Sequence, residues 1–318
     1  MKKDVLLIIN PRSGKNKRND IYSEVESIIS AENHSVTTVY TSSRGHATEI
    51  ALTGKNYNSV ICMGGDGTLS EVCNGLLTLP ENERPRLGYI PAGSTNDFAK
   101  GIGLPTSIKK SARLAASDKC SPIDIGAFKS DGQEQRYFTY VASFGAFTKI
   151  SYSTDQDIKN KLGHFAYIFE GIKSIGDMQN FKPFKLRIET NDTLLEQEYI
   201  FGAITNSTSL GGLVKLDKKN VHVNDGMFEL LLIRKPSNFL DLTGTITDII
   251  SKKYRYDRII FTHTDKVSLT SEIPLDFTLD GEFAGAIKQV DISVLHNAVN
   301  FIRPEEVRKK PFPRKKTP

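Results

Sequence analysis

The chain has 318 residues, is 38% hydrophobic and 25% charged, and carries a net charge of +5. That is ordinary globular composition at a length that suits two domains, and it excludes a disordered chain. Three cysteines, Cys62, Cys73 and Cys120, lack metal-ligand spacing, so no disulfide or zinc framework is expected and reduced thiols in a cytoplasm are.

The first apolar run, Val5–Ile9, stops at Asn10-Pro11 and is too short for a signal-peptide core. No segment has the length of a transmembrane helix, so any membrane contact is expected to be peripheral. Short apolar runs then alternate with helix-like segments: Ile21–Ile29, Val36–Tyr40, His46–Leu52, Val60–Met63, Leu69–Leu77 and Leu87–Ile90. Such alternation predicts a parallel sheet flanked by helices. Ile21, Val25, Ile28 and Ile29 fall at helical spacing and form a core-facing stripe.

From about residue 123 the texture becomes strand-like. Runs at Ile123–Phe128, Tyr137–Val141, Phe184–Ile188, Tyr199–Thr205, Met227–Ile233, Ile259–Thr262, Lys266–Thr270, Leu275–Leu279 and Val290–Leu295 predict a mostly antiparallel second domain. Two helices interrupt it, Ile158–Ile175 and Phe239–Ser251, the second after a Pro236-Ser237 start. Residues 303–318 hold seven basic and two acidic residues, which accounts for the whole net charge. This tail reads either as an anchor for an anionic membrane or as a solvated end.

Ligands of open parallel sheets sit beyond the carboxyl ends of the strands. Three turns take that position: Asn10-Pro11-Arg12-Ser13-Gly14, Gly64-Gly65-Asp66-Gly67-Thr68, and Pro91-Ala92-Gly93-Ser94-Thr95-Asn96-Asp97. The central turn joins a strand to a helix. Glycines there let backbone N–H groups approach an anion, and the helix N-terminus adds partial positive charge. Thr68-x-x-Glu71 and Ser94-x-x-Asp97 also fit capping boxes, but capping does not account for three glycines in four positions.

Together with Gly93-Ser94-Thr95-Asn96-Asp97-Phe98-Ala99 and Asp280-Gly281-Glu282, these turns resemble the diacylglycerol kinase catalytic family, in particular its soluble bacterial lipid kinases. The glycine turn alone is shared with NAD kinases and phosphofructokinases; the four motifs in order span nearly the whole chain. The resemblance implies an N-terminal parallel α/β nucleotide domain, residues 1–122, and a larger antiparallel β-sandwich lipid domain, residues 123–296. A C-terminal segment, about 297–318, is expected to return to the first domain.

The resemblance also implies ATP, Mg2+ and a lipid alcohol such as diacylglycerol as reactants. Nucleotide contacts would come from Asn10, Pro11, Arg12, Ser13, Gly14, Thr41, Gly65, Asp66, Gly67, Thr68, Leu69, Ser70, Glu71 and Ser94, the last being threonine in most of the family. Asp66 and Asp97 would organise catalytic magnesium, and Glu282 would be the general base. Local sequence reads Leu279–Glu282 as an Asp-Gly hairpin; the family motif turns Glu282 into a catalytic candidate.

Asn224-Asp225-Gly226 reads as a turn, and the resemblance adds a structural magnesium held by Asp225 and the backbone carbonyls of His222 and Met227. The lysine-rich 214–220 stretch departs from the family there. Lys161 and Arg12 are candidates to offset phosphate charge. Phe144, Phe147, Phe165, Tyr167 and Phe169 read as core or as an acyl-chain pocket. A peripheral cytoplasmic enzyme is expected, with no nucleic-acid partner and room for a homodimer. The rivals are a kinase of the NAD kinase type and a nucleotide-binding membrane adaptor without turnover.

Overall fold

The computed structural model describes residues 3–14, 19–32, 34–145, 183–210, 214–217 and 221–304. Strand β1 (Lys3–Ile9) buries every residue from Val5 to Ile9, because apolar side chains alternate between two covered faces. Val5, Leu7 and Ile9 pack with Tyr22, Val25 and Ile29 of α1 (Asn19–Ala31). Leu6 and Ile8 face the other way, toward Ala47 and Ile50 of α2 (His46–Ala51) and Leu69, Val72 and Leu76 of α3 (Asp66–Leu77). Strands β2 (His34–Tyr40) and β3 (Ser59–Gly64) flank β1 in parallel, and β4 (Arg86–Pro91) pairs β3 in parallel. The ends of these strands therefore open on one side.

Short α4 (Asp97–Gly101) follows, then α5 (Ile108–Ala115), which packs on β4 and α1. Helix α5 has no apolar run in the sequence, because its buried positions are Ser111, Ala112 and Ala115 rather than large aliphatics.

The rest is largely antiparallel: β5 (Cys120–Ser130), β6 (Arg136–Phe138), β7 (Val141–Gly145), β8 (Phe184–Thr190), β9 (Leu194–Thr205), β10 (Ser209–Leu210), β11 (Val214–Lys215), β12 (Phe228–Arg234), α6 (Phe239–Ser251), β13 (Ile259–Thr264), β14 (Lys266–Leu279) and β15 (Glu282–Ile302). The main sheet runs β13-β12-β9-β7-β14-β15-β4-β3-β1-β2, with β5 also on β15 and β8 bridging β14 and β9. Its two parts meet where Phe301 of β15 pairs in parallel with Leu87 of β4. Phe301 and Phe98 of α4 also pack edge-on, ring centres 5.3 Å apart. The fold is thus mixed α/β with a large antiparallel portion.

Four of the strands expected from sequence are redrawn. Tyr137–Val141 is split, because the amides of Thr139, Tyr140 and Val141 turn aside to the Asp280 carboxylate. Lys266–Thr270 and Leu275–Leu279 join into one strand with a register shift between them. Val290–Leu295 is the middle of a 21-residue strand, which bends at Asn297 where φ is +54°. Helix α6 has the bounds read from sequence, and its cap is Asn238, whose side chain accepts from the Asp241 amide. The Ile158–Ile175 helix, Lys161, Phe147, Phe165, Tyr167, Phe169 and residues 305–318 lie outside the described residues.

Candidate active site

The turns after β1, β3 and β4 touch one another. Gly14 sits at φ +70°, and a Cβ there would stand 2.1 Å from the Ala92 carbonyl oxygen. A Cβ on Gly93 would stand 2.6 Å from the Gly65 Cα. Only glycine permits these backbones so close. Side chains complete the join: Asn10 Nδ2 donates to Thr68 Oγ1 at 2.8 Å, and Gly65 N–H donates to Ser13 Oγ at 3.2 Å.

Neither capping box forms. Helix α3 starts after Gly65 with no side-chain cap, since Thr68 is engaged by Asn10 and Glu71 reaches across to cap α2. The Glu71 carboxylate accepts the Gly45 and Ala47 amides at 2.8 and 3.3 Å. An uncapped helix start beside a glycine turn favours an anion. Ser94 caps nothing: α4 is capped in trans by Asp66, which accepts the Asp97 amide at 2.9 Å and the Phe98 amide at 3.3 Å.

A cavity of about 640 Å³ lies over the α3 start. It brings together Asn10, Arg12, Ser13, Thr41, Gly65, Gly67, Thr68, Ser70, Glu71 and Glu282 of the sequence-level candidates. Pro11, Gly14, Leu69 and Ser94 do not line it; Leu69 is core and Gly14 is packed on Ala92. Asp66 and Asp97 do not line it either. Burial pushes the Asp66 carboxyl up to about 6, against its two amide donors. Asp97 is buried, and Ser209 Oγ donates to it at 3.4 Å.

Glu282 is delivered by the hairpin foreseen from Asp280-Gly281. Both turn residues have positive φ, +49° and +85°, and Leu279 pairs with Glu282 across the turn, as in a two-residue type I′ connection. The buried Asp280 carboxylate anchors it, accepting the Thr139, Tyr140 and Val141 amides and the Thr139 hydroxyl at 2.7 to 3.2 Å. The turn and the catalytic candidate are therefore one device. Glu282 Oε1 would lie 3.6 Å from a Cβ placed on Gly67, so the carboxylate faces the glycine turn across the cavity.

The family model for the diacylglycerol kinase catalytic domain matches residues 4–128. A diacylglycerol kinase of Bacillus subtilis (strain 168) is 31% identical over 304 residues, covering 94% of this chain and 96% of that protein. The chain belongs to the diacylglycerol kinase family. A diacylglycerol kinase of Staphylococcus haemolyticus (strain JCSC1435) is 30% identical over 292 residues, 90% of this chain and 84% of that one. The fold matches the crystal structure of a diacylglycerol kinase from Bacillus anthracis str. Sterne, with TM-score 0.72, 21% identity and coverage of 94% and 96%.

Within this kinase, sequence reasoning passed over three groups that line the cavity. Arg44 reaches Glu282 from the β2–α2 loop at 3.3 Å. Arg136, whose basicity is lowered by burial and by Arg44, donates to the Ala284 carbonyl at 3.0 Å. Asn74 is bonded both ways to the Tyr137 backbone. Single arginines and an asparagine far apart in sequence carry no motif, so only folding reveals them. Phe144 is core, packed on Phe277 at 5.1 Å between ring centres.

The metal candidates divide. Among the described residues no group of three or more His, Cys, Asp or Glu side chains is placed to hold a metal ion. Magnesium in phosphate sites needs only one or two carboxylates, with water and phosphate completing the shell; Asp66 and Asp97 are carboxylates of that kind, although the Asp66 oxygens here accept the Asp97 and Phe98 amides. Asn224–Gly226 forms the turn read from sequence: Asp225 Oδ1 accepts the Met227 amide at 3.0 Å, and Gly226 N–H donates to the buried Asp124 at 2.7 Å. Asp124 also accepts the Asn297 amide at 2.7 Å and stands 2.9 Å from His296 Nδ1, tying this turn to the bend of β15.

Proposed function

We propose that the protein is an ATP-dependent lipid kinase that transfers the terminal phosphoryl group to the hydroxyl of diacylglycerol, or of a similar lipid alcohol, giving phosphatidic acid in the first case. The observation that carries this reading is the opposition of Glu282 to Gly67 across the cavity, with an uncapped helix N-terminus on one side and a carboxylate on the other. The first suits a polyphosphate and the second an alcohol nucleophile.

In this reading the N-terminal turn of α3, with Arg12 and Arg44, offsets phosphate charge. Glu282 takes the hydroxyl proton as the new oxygen–phosphorus bond forms and the bond to the departing nucleoside diphosphate breaks in line. Magnesium, when bound, neutralises charge on the transferring group. Asp66 and Asp97 would hold it, while Asp225 with the His222 and Met227 carbonyls would hold the structural ion. Residues 1–122 would form the nucleotide unit and 123–296 the lipid unit, with the C-terminal segment returning to the first. The setting would be cytoplasmic and peripheral to the membrane.

The test is incubation with labelled ATP, Mg2+ and mixed micelles of candidate lipids, beside a Glu282→Ala variant. Labelled lipid is expected, with kcat in the variant lowered by about 10²-fold or more. Label in NAD and in no lipid overturns the reading; full activity in the variant overturns the role of Glu282 alone.

A further inference from the structure

Helix α6 turns an uncharged stripe to the outside. Leu240 and Ile250 are 79% and 63% exposed, and Thr243 and Thr247 stand between them at helical spacing. The hydroxyls on this side are spent within the helix: Thr243 donates to the Leu240 carbonyl, Thr247 to that of Thr243, and Ser251 to that of Thr247. What the stripe presents outward is therefore mainly methyl groups, with no hydroxyl proton left to desolvate.

The helix's acids lie off this stripe and are neutralised. Asp241 meets Arg258 at 2.7 Å, and the buried Asp248 meets Arg255 and Arg258 at 3.0 and 3.2 Å. Just past the helix come Lys252 and Lys253, both exposed and without an ion pair among the described residues, then Tyr256, 52% exposed under the Arg234 guanidinium. Asp257, next in the chain, is an exposed acid. Aliphatics bounded by lysines and an aromatic match the apolar and anionic layers of a bilayer interface. The helix also stands near the catalytic candidates. It packs on β11, whose partner β10 begins with Ser209, the residue that donates to Asp97.

We infer that the outer stripe of α6, with Lys252 and Lys253, is the surface on which the protein docks to an anionic lipid bilayer. The inference rests on the lipid-kinase reading for its purpose, but its test does not depend on turnover. Sedimentation with vesicles of equal parts phosphatidylglycerol and phosphatidylcholine compares the full chain with Leu240→Asp/Ile250→Asp and with Lys252→Glu/Lys253→Glu. The first variant is expected to lose about tenfold or more in partitioning at every salt concentration. The second loses it chiefly at low salt, where charge is least screened.

The chain has no tryptophan. Ile250→Trp therefore supplies a lone reporter, whose emission shifts to the blue on these vesicles if the stripe enters the interface. Unshifted emission, or partitioning equal to wild type in both charge variants, overturns the proposal. So does binding lost only on removal of residues 303–318, or a dimer that dissociates in the helix variants while vesicle binding persists. A chain that phosphorylates no lipid but still shows the shift and the losses fails the lipid-kinase reading while keeping the docking surface.

Discussion

The guanidinium of Arg44 stands 3.3 Å from the carboxylate of Glu282, joining the β2–α2 loop to the β14–β15 turn across the cavity. Both side chains are mostly exposed, at 78% and 53%, so the pair contributes little stability. Its expected consequence lies in binding: in the proposed kinase reading a polyphosphate entering the cavity would compete with Glu282 for Arg44. Arg44→Ala should leave the melting temperature nearly unchanged, within about 1 kcal/mol of stability. The KM for ATP should rise about fivefold or more in steady-state kinetics, as expected for a lost charge-assisted contact.

Gly93 and Gly65 bring two turns into backbone contact, and any side chain at 93 must displace one of them. Gly93→Ala is expected to cost about 1–3 kcal/mol in urea unfolding. ATP binding by calorimetry should weaken as well, because the three turns would no longer converge. Gly103→Ala is a useful contrast. Its φ is +74°, yet nothing lies within 4 Å, so the substitution should cost about 1 kcal/mol and leave nucleotide affinity alone.

Asp280 positions Glu282 through four hydrogen bonds to one buried carboxylate. Asparagine at that position has one acceptor oxygen and turns an N–H2 toward amide donors. Asp280→Asn should lower stability by about 2–4 kcal/mol and reduce kcat more than it raises the KM for ATP. Unchanged kcat with lowered stability would show that the hairpin holds Glu282 without this anchor.

Burial raises the carboxyls of Asp66, to about 6, and of Asp280 and Glu229. Each binds its proton more tightly folded than unfolded. Between the two pKa values the folded state thus holds more protons, and stability falls as pH rises. For Asp66 the window runs from 3.8 to about 6. With metal removed by a chelator, urea unfolding should therefore show greater stability at pH 5 than at pH 8. Glu229 Oε2 has no hydrogen-bond partner among the described residues, and Glu229→Gln, which cannot titrate, deletes the residue's contribution to that slope. The variant's stability relative to wild type should increase as pH rises from about 4.5 to 8, measured by urea unfolding at both ends of the range.

Much of this protein was legible in its sequence because the determining interactions are local. The unbroken apolar run Val5–Ile9, the stripe Ile21 to Ile29 and the Asp280-Gly281 turn each depend on side-chain period or on φ at one or two residues. Helix α6 was read from Phe239 to Ser251, as it stands. The motifs marked the strand ends whose turns the fold brings into contact.

Tertiary structure decided which partner each polar group takes, because a hydrogen bond is settled by whichever acceptor folding brings nearest. Glu71 caps α2 rather than α3, Asp66 caps α4 across 31 residues, and Thr68 takes Asn10. Sequence spacing offered capping boxes for two of these, and long-range contacts displaced them. Arg44, Arg136 and Asp124 entered for the same reason: their roles exist only between elements far apart in the chain.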